Sequence, residues 1–118
     1  MSAKLFHLST CSTCRKILAT LDTSDTELVN IREQLITESD LDILAKSLGS
    51  YQAAFNNRAQ KLKLMSADEK PKSEADYKKL ILSDYTFLKR PALIIDNKGY
   101  AGNDAKTLEV MQAAIGSK

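Results

Sequence analysis

Apolar side chains along this chain recur at two spacings, and the changes between them predict its elements. Lys4-Leu5-Phe6-His7-Leu8 reads as a short strand, and residues 14–21 read as an amphipathic helix. Thr23-Ser24-Asp25 forms a turn, and the alternation in Glu27-Leu28-Val29-Asn30-Ile31 predicts a second strand. Strand, helix and strand in that order imply parallel pairing with a right-handed crossover. Leu41, Leu44, Ala45 and Leu48 then share one helical face. Thr37 suits the N-cap of that helix, with Asp40 at the third helical position, and Gly49 suits its end. Residues 51–57 are expected to form a short helix. Residues 61–72, polar and interrupted by Pro71, are expected to form a loop with one short helical piece. Ser73 caps a helix over residues 73–82 whose apolar face is Tyr77, Leu80 and Ile81. Ala92-Leu93-Ile94-Ile95 is wholly apolar, as a central strand should be. Asp96-Asn97-Lys98-Gly99 suits a hairpin turn into a short strand at Tyr100-Ala101. Asn103 or Asp104 caps a final helix, with Leu108, Met111 and Ile115 facing inward.

Between the first strand and first helix lies Cys11-Ser12-Thr13-Cys14, which holds both cysteines of the chain. The first sulfur falls at the helix start, where unpaired N–H groups favour a thiolate, and Arg15 and Lys16 add positive charge. The thiolate is the form that attacks oxidised sulfur or a polarised oxyanion. A βαβ half, a helical stretch over about residues 37–82 and a ββα half, with two cysteines after the first strand, define an α/β thioredoxin/glutaredoxin-like fold. The helical stretch is read as an insertion.

The 118 residues fit one domain, residues 1–118. A net charge of +2, with the cations spread along the chain, gives no basis for direct nucleic-acid binding. The alternating Lys61-Leu62-Lys63-Leu64 reads as a solvated edge. No apolar run is long enough for a bilayer, so no membrane partner is expected. Met1-Ser2-Ala3-Lys4 lacks the apolar core of a signal peptide, and a reducing cytoplasm is the expected compartment. Two cysteines two residues apart suggest redox chemistry rather than a disulfide framework. With His7 they also fall short of the four ligands of a structural zinc site, so no metal is expected.

Four segments together resemble the glutaredoxin-coupled arsenate reductase family, which includes the Spx-type transcription regulators. They are Cys11-Ser12-Thr13-Cys14-Arg15-Lys16, Asn56-Asn57-Arg58, Leu88-Lys89-Arg90-Pro91-Ala92-Leu93-Ile94-Ile95 and Gly99-Tyr100-Ala101-Gly102-Asn103. The resemblance spans nearly the whole chain. Two departures point to its Spx-like branch: Cys14 stands where the reductases carry serine, and no arginine follows Arg90.

The resemblance implies a site. Cys11 is the expected nucleophile. Cys14 is either the resolving thiol or a packed helix residue whose part is taken by glutathione. His7 matches a histidine that the arsenate reductases carry upstream of the nucleophile, where it could tune the thiolate or transfer a proton, and is otherwise a half-buried strand residue. Arg15, Arg58 and Arg90 are the expected anion-binding groups, because a guanidinium presents a planar fork of donors to an oxyanion or carboxylate. Pro91 matches the proline that brings its loop beside the active cysteine in thioredoxin-like folds. The implied activity is thiol-disulfide exchange or oxyanion reduction. No tightly bound cofactor is implied. Reduced glutathione is the expected co-substrate, with glutathione or glutaredoxin as redox partner and a small oxyanion or a disulfide as substrate. The alternative is a redox-sensing regulator that docks on the RNA polymerase α subunit.

Overall fold

The computed structural model describes residues 3–117. Strands β1 (Ala3–His7), β2 (Thr26–Asn30), β3 (Ala92–Ile95) and β4 (Lys98–Ala101) form one sheet in the order β2-β1-β3-β4. β2 runs parallel to β1, while β3 is antiparallel to β1 and β4 to β3. The helices are α1 (Ser12–Leu18), α2 (Glu38–Leu48), α3 (Gln60–Lys63), α4 (Glu74–Ser83) and α5 (Ala105–Ile115). This is the expected βαβ…ββα order, with α2, α3 and α4 between β2 and β3. Among the described residues, no helix is long and apolar enough to cross a membrane.

Period-two alternation in β1 and β3 sorts the core into two layers. Ala3, Leu5 and Leu93 pack with Ile17, Leu21 and Met111, on the side of α1 and α5. Phe6, Ala92 and Ile94 pack with Leu41, Leu44, Phe55 and Ile81, on the side of α2 and α4. Leu5, Leu41, Leu44, Phe55, Ile81, Leu93 and Met111 are completely buried. Each such side chain contributes about 1.5–3 kcal/mol relative to an exposed position.

Local signals account for most helix ends. Thr37 Oγ1 accepts the Asp40 N–H at 3.2 Å, and Gly49 closes α2 in the left-handed region at φ 101°. Ser73 Oγ accepts the Asp76 N–H, and Asp104 accepts the Thr107 N–H. Helix α2 lies directly on β4. A Cβ placed on Gly99 would come 2.9 Å from Leu44 Cα, and Ser47 Oγ accepts the Gly99 N–H at 2.8 Å.

Four expectations shift. Helix α1 begins at Ser12 and ends at Leu18, because the Thr20 and Leu21 N–H groups turn to carbonyls three residues back and Leu21 bridges to Ser117. The expected helix over residues 51–57 shrinks to a single 3-10 turn, Gln52–Ala54. Phe55 extends instead to bridge Leu88. The loop over residues 61–72 begins inside α3, which starts at Gln60. β4 starts at Lys98, because Asp96 and Asn97 both adopt positive φ and make a two-residue hairpin turn.

Candidate functional site

Chain entering α1 sets the two sulfurs in different surroundings. Cys11 is the N-cap residue, with extended backbone (φ −93°, ψ 114°), and its side chain is half-buried. Cys14, one turn into the helix, is fully buried within the larger core layer, which also holds Phe6, Leu8 and Ala92. Both are free thiols.

Cys11 opens onto a cleft of about 430 Å³. One wall is the segment after Phe55, with Asn56, Asn57 and Arg58. Another is Lys89 and Arg90, and the far end is Gly102, Asn103 and Asp104. Backbone bonds lock the first two walls together. The Asn56 N–H donates to Phe87 O at 2.8 Å, and the Lys89 N–H donates to Ala54 O at 2.8 Å. The Asn56 side chain adds a second link, donating to Thr86 O at 3.1 Å and accepting the Arg58 N–H at 3.1 Å. The far end is fixed by the Gly102 N–H, which donates to Pro91 O at 3.0 Å. Pro91 is buried, and its bond to Arg90 is cis.

Arg90 is half-buried, and its Nη1 lies 3.5 Å from both Thr86 O and Leu88 O. Those carbonyls steady the guanidinium beside Cys11. Burial alone would raise the Cys11 thiol. The amide and thiol of Cys14, the Arg90 guanidinium and the Thr13 amide outweigh it and hold the group below the ordinary thiol value. As a neutral group, Cys11 makes no capping hydrogen bond. These donors act on the charge of the thiolate, the form they stabilise. Cys14 goes the other way. Burial pushes it up to about 11, and the neighbouring Cys11 sulfur adds to that rise against the opposing Leu8 amide and Arg90 charge.

Cys11, Arg58 and Arg90 therefore meet in one cleft, while Pro91, buried next to Arg90 in the chain, does not line it. Two expectations change. His7 does not line this cleft; it lies in a separate depression with Asn30 and Glu33, because its register partner is Asn30 on the β2 side. Burial lowers its imidazole below the ordinary value, so it is neutral near neutral pH. Arg15 is exposed on α1 and also does not line the cleft. A four-residue spacing puts side chains on one face only inside a helix, and Cys11 is the cap, outside the helical turn.

Sequence reasoning did not place Asn56, Asn57, Lys89, Asn103 and Asp104 in the site. Asn56, Asn57 and Lys89 adjoin the two arginines it singled out. Asn103 and Asp104 reach the cleft only because the β3–β4 hairpin returns the chain beside Pro91.

No protein-family model and no curated protein matches the chain. Solved structures match it over nearly its whole length. An arsenate reductase from Vibrio cholerae superposes with a TM-score of 0.74 at 16% identity, over 94% of this chain and 98% of that one. A YffB protein gives a TM-score of 0.79 at 18% identity, over 96% and 98%. The fold is thioredoxin-like. An arsenate reductase-related protein from Brucella melitensis agrees, with a TM-score of 0.65 at 22% identity over 93% of each chain. At such identities the likeness is one of fold, and activity has to be argued from the site.

Proposed function

We propose that this chain is a thiol-disulfide oxidoreductase of the arsenate reductase kind, with Cys11 as nucleophile and reduced glutathione as electron donor. One observation carries the reading: a half-exposed thiol held below its ordinary pKa shares an open cleft with Arg58 and Arg90. The fold shared with arsenate reductases supports it.

In the proposed cycle the Cys11 thiolate attacks one sulfur of a disulfide. The S–S bond breaks, the other sulfur leaves as a thiolate and takes a proton, and Cys11 becomes a mixed disulfide. Cys14 loses its proton and attacks the Cys11 sulfur. The substrate's remaining thiol leaves, and a Cys11–Cys14 disulfide closes. Two glutathione molecules reduce that bridge to two thiols and leave as glutathione disulfide. One disulfide is reduced and two glutathiones are oxidised, so the electrons balance. Arg58 and Arg90 hold the anionic part of the substrate, and Arg90 also steadies the attacking sulfur. A reducing cytoplasm would return both cysteines to the thiol form. His7 and Arg15 have no part in this scheme.

The deciding experiment measures glutathione-dependent turnover of mixed disulfides and of arsenate by wild type, Cys11→Ser and Cys14→Ser. Turnover by wild type that vanishes in Cys11→Ser is expected. No turnover by wild type, together with capture of RNA polymerase through its α subunit, would replace this reading with the redox-regulator alternative.

A further inference from the structure

We infer that Asp84, which lies outside the cleft, is a positioning residue for the Cys11 thiolate: it fixes the turn whose Thr86 carbonyl steadies Arg90. The inference rests on the reading of Cys11 as the attacking thiol and names a further residue that serves it. Asp84 opens the 3-10 turn Tyr85–Phe87 from an extended backbone (φ −156°, ψ 132°). Its Oδ1 accepts both the Thr86 N–H and the Thr86 hydroxyl, each at 2.9 Å. Its Oδ2 takes Lys61 Nζ of α3. The carbonyl of Thr86 is in turn a shared acceptor. Asn56 Nδ2 reaches it at 3.1 Å, and Arg90 Nη1 stands 3.5 Å from it. Asp84 thus clasps the residue against which both the Asn56–Arg58 wall and the Arg90 guanidinium are set.

Burial alone would raise the Asp84 carboxyl. The Lys61 ammonium and the Thr86 N–H and hydroxyl outweigh it, so the group is ionised near neutral pH. The Lys61 side chain is 57% exposed, and an ion pair with so wet a partner contributes little. The two Thr86 bonds set the turn, and an amide oxygen accepts such bonds as a carboxylate does. Cys11 is faced from the cleft walls by Arg58, Lys89, Arg90 and Asp104, and from its own helix by Cys14. Of these charged side chains, Arg90 holds the thiol down by a hydrogen bond. Disorder in the Thr86 carbonyl therefore reaches Cys11 through Arg90. The two ways for Asp84 to act differ in sign. As a bare negative charge it opposes the thiolate, so its removal lowers the Cys11 midpoint. As the clasp of the turn it supports Arg90, so its removal raises that midpoint.

The test follows iodoacetamide alkylation across pH in wild type, Asp84→Ala, Asp84→Asn and Arg90→Met, with peptide mass assigning the adduct to Cys11. Asp84→Ala should move the midpoint to higher pH and slow alkylation below it by about threefold, part of the effect of an adjacent opposite charge. Asp84→Asn keeps the Thr86 bonds and should return the profile close to wild type. In an Arg90→Met background, Asp84→Ala should change nothing further. That non-additivity separates placement of the guanidinium from a general loosening of the fold. Three results overturn the role of Asp84 and leave Cys11 as the attacking thiol. They are an unmoved or lowered midpoint in Asp84→Ala, an Asp84→Asn shift as large as that of Asp84→Ala, and a shift undiminished without Arg90. Should Asp84→Ala not fold, Thr86→Val, which removes the hydroxyl bond alone, decides in its place: a raised midpoint is expected, and an unmoved one overturns the inference. A wild-type midpoint at the ordinary thiol value of about 8.5, unmoved by Arg90→Met, removes the reading of the site and this inference with it.

Discussion

Loading Cys11 with a neutral disulfide at a series of pH values, and following closure onto Cys14, isolates the behaviour of the buried sulfur. Cys14 is pushed up to about 11, chiefly by burial and further by the adjacent Cys11 sulfur. A thiol with that pKa is roughly one part in ten thousand thiolate at about pH 7, and roughly one part in a hundred at about pH 9. Since the thiolate is the attacking species, closure should gain about tenfold for each pH unit over that range. Loading Cys11 removes its negative charge, so one contribution to the rise disappears while burial persists. The profile should therefore bend below about 11 but above the ordinary thiol value near 8.5. The assay is an acid quench at timed intervals, with intact mass separating the loaded protein from the closed disulfide. Cys14→Ser should stay loaded at every pH until an external thiol is added. A closure rate that is flat between about pH 7 and about pH 9 would refute the argument from burial, because Cys14 would then already be ionised. If wild type also stays loaded throughout, Cys14 is not the resolving thiol and glutathione takes the adduct directly.

Arg90→Met should move the midpoint of Cys11 alkylation to higher pH, because the guanidinium is one of the groups that hold the thiol down; an unmoved midpoint in an iodoacetamide titration removes Arg90 from that role. Asn56→Ala cuts the side-chain links to Thr86 O and to the Arg58 N–H. It should cost about 1–2 kcal/mol and lower Tm, with an unchanged calorimetric Tm counting against a clamp at this point. Gly99→Ala would set a Cβ 2.9 Å from Leu44 Cα and force α2 away from β4. A loss of about 1–3 kcal/mol is expected from the urea midpoint, and a wild-type midpoint would show that α2 has room to move.

Elements settled by neighbours in the chain were legible in the sequence. Thr37 and Gly49 bound α2, Ser73 opens α4, and Ala92–Ile95 is the strand that its apolar run implied. Elements settled by distant partners were not. Phe55 leaves helical geometry because Leu88 offers it a bridge, and α1 stops early because Leu21 is drawn to Ser117. The cleft divides in the same way. Cys11 and the two arginines could be singled out by residue type and resemblance. That Asn56 clasps the turn before Leu88, or that Asp104 faces Lys89 across Gly102, depends on contacts that residue spacing does not encode. His7 shows the converse: its place in β1 was read correctly, but its pairing with Asn30 puts it beside Glu33 in a separate depression.

One turn of helix separates the two sulfurs, and their surroundings give them an order of action. Cys11, at the cap, meets amides and a guanidinium that favour its charge. Cys14, inside the turn, loses its water to the larger core layer. The thiol with the lower pKa is the one that faces the cleft, so in the proposed cycle attack on substrate starts there. While Cys11 is a thiolate, its charge and its hydrogen bond keep the proton on Cys14. Formation of the adduct ends both effects at once, and the Arg90 charge then acts on Cys14 without that opposition. In the proposed cycle, the step that consumes the first thiolate is thus the step that eases release of the second proton.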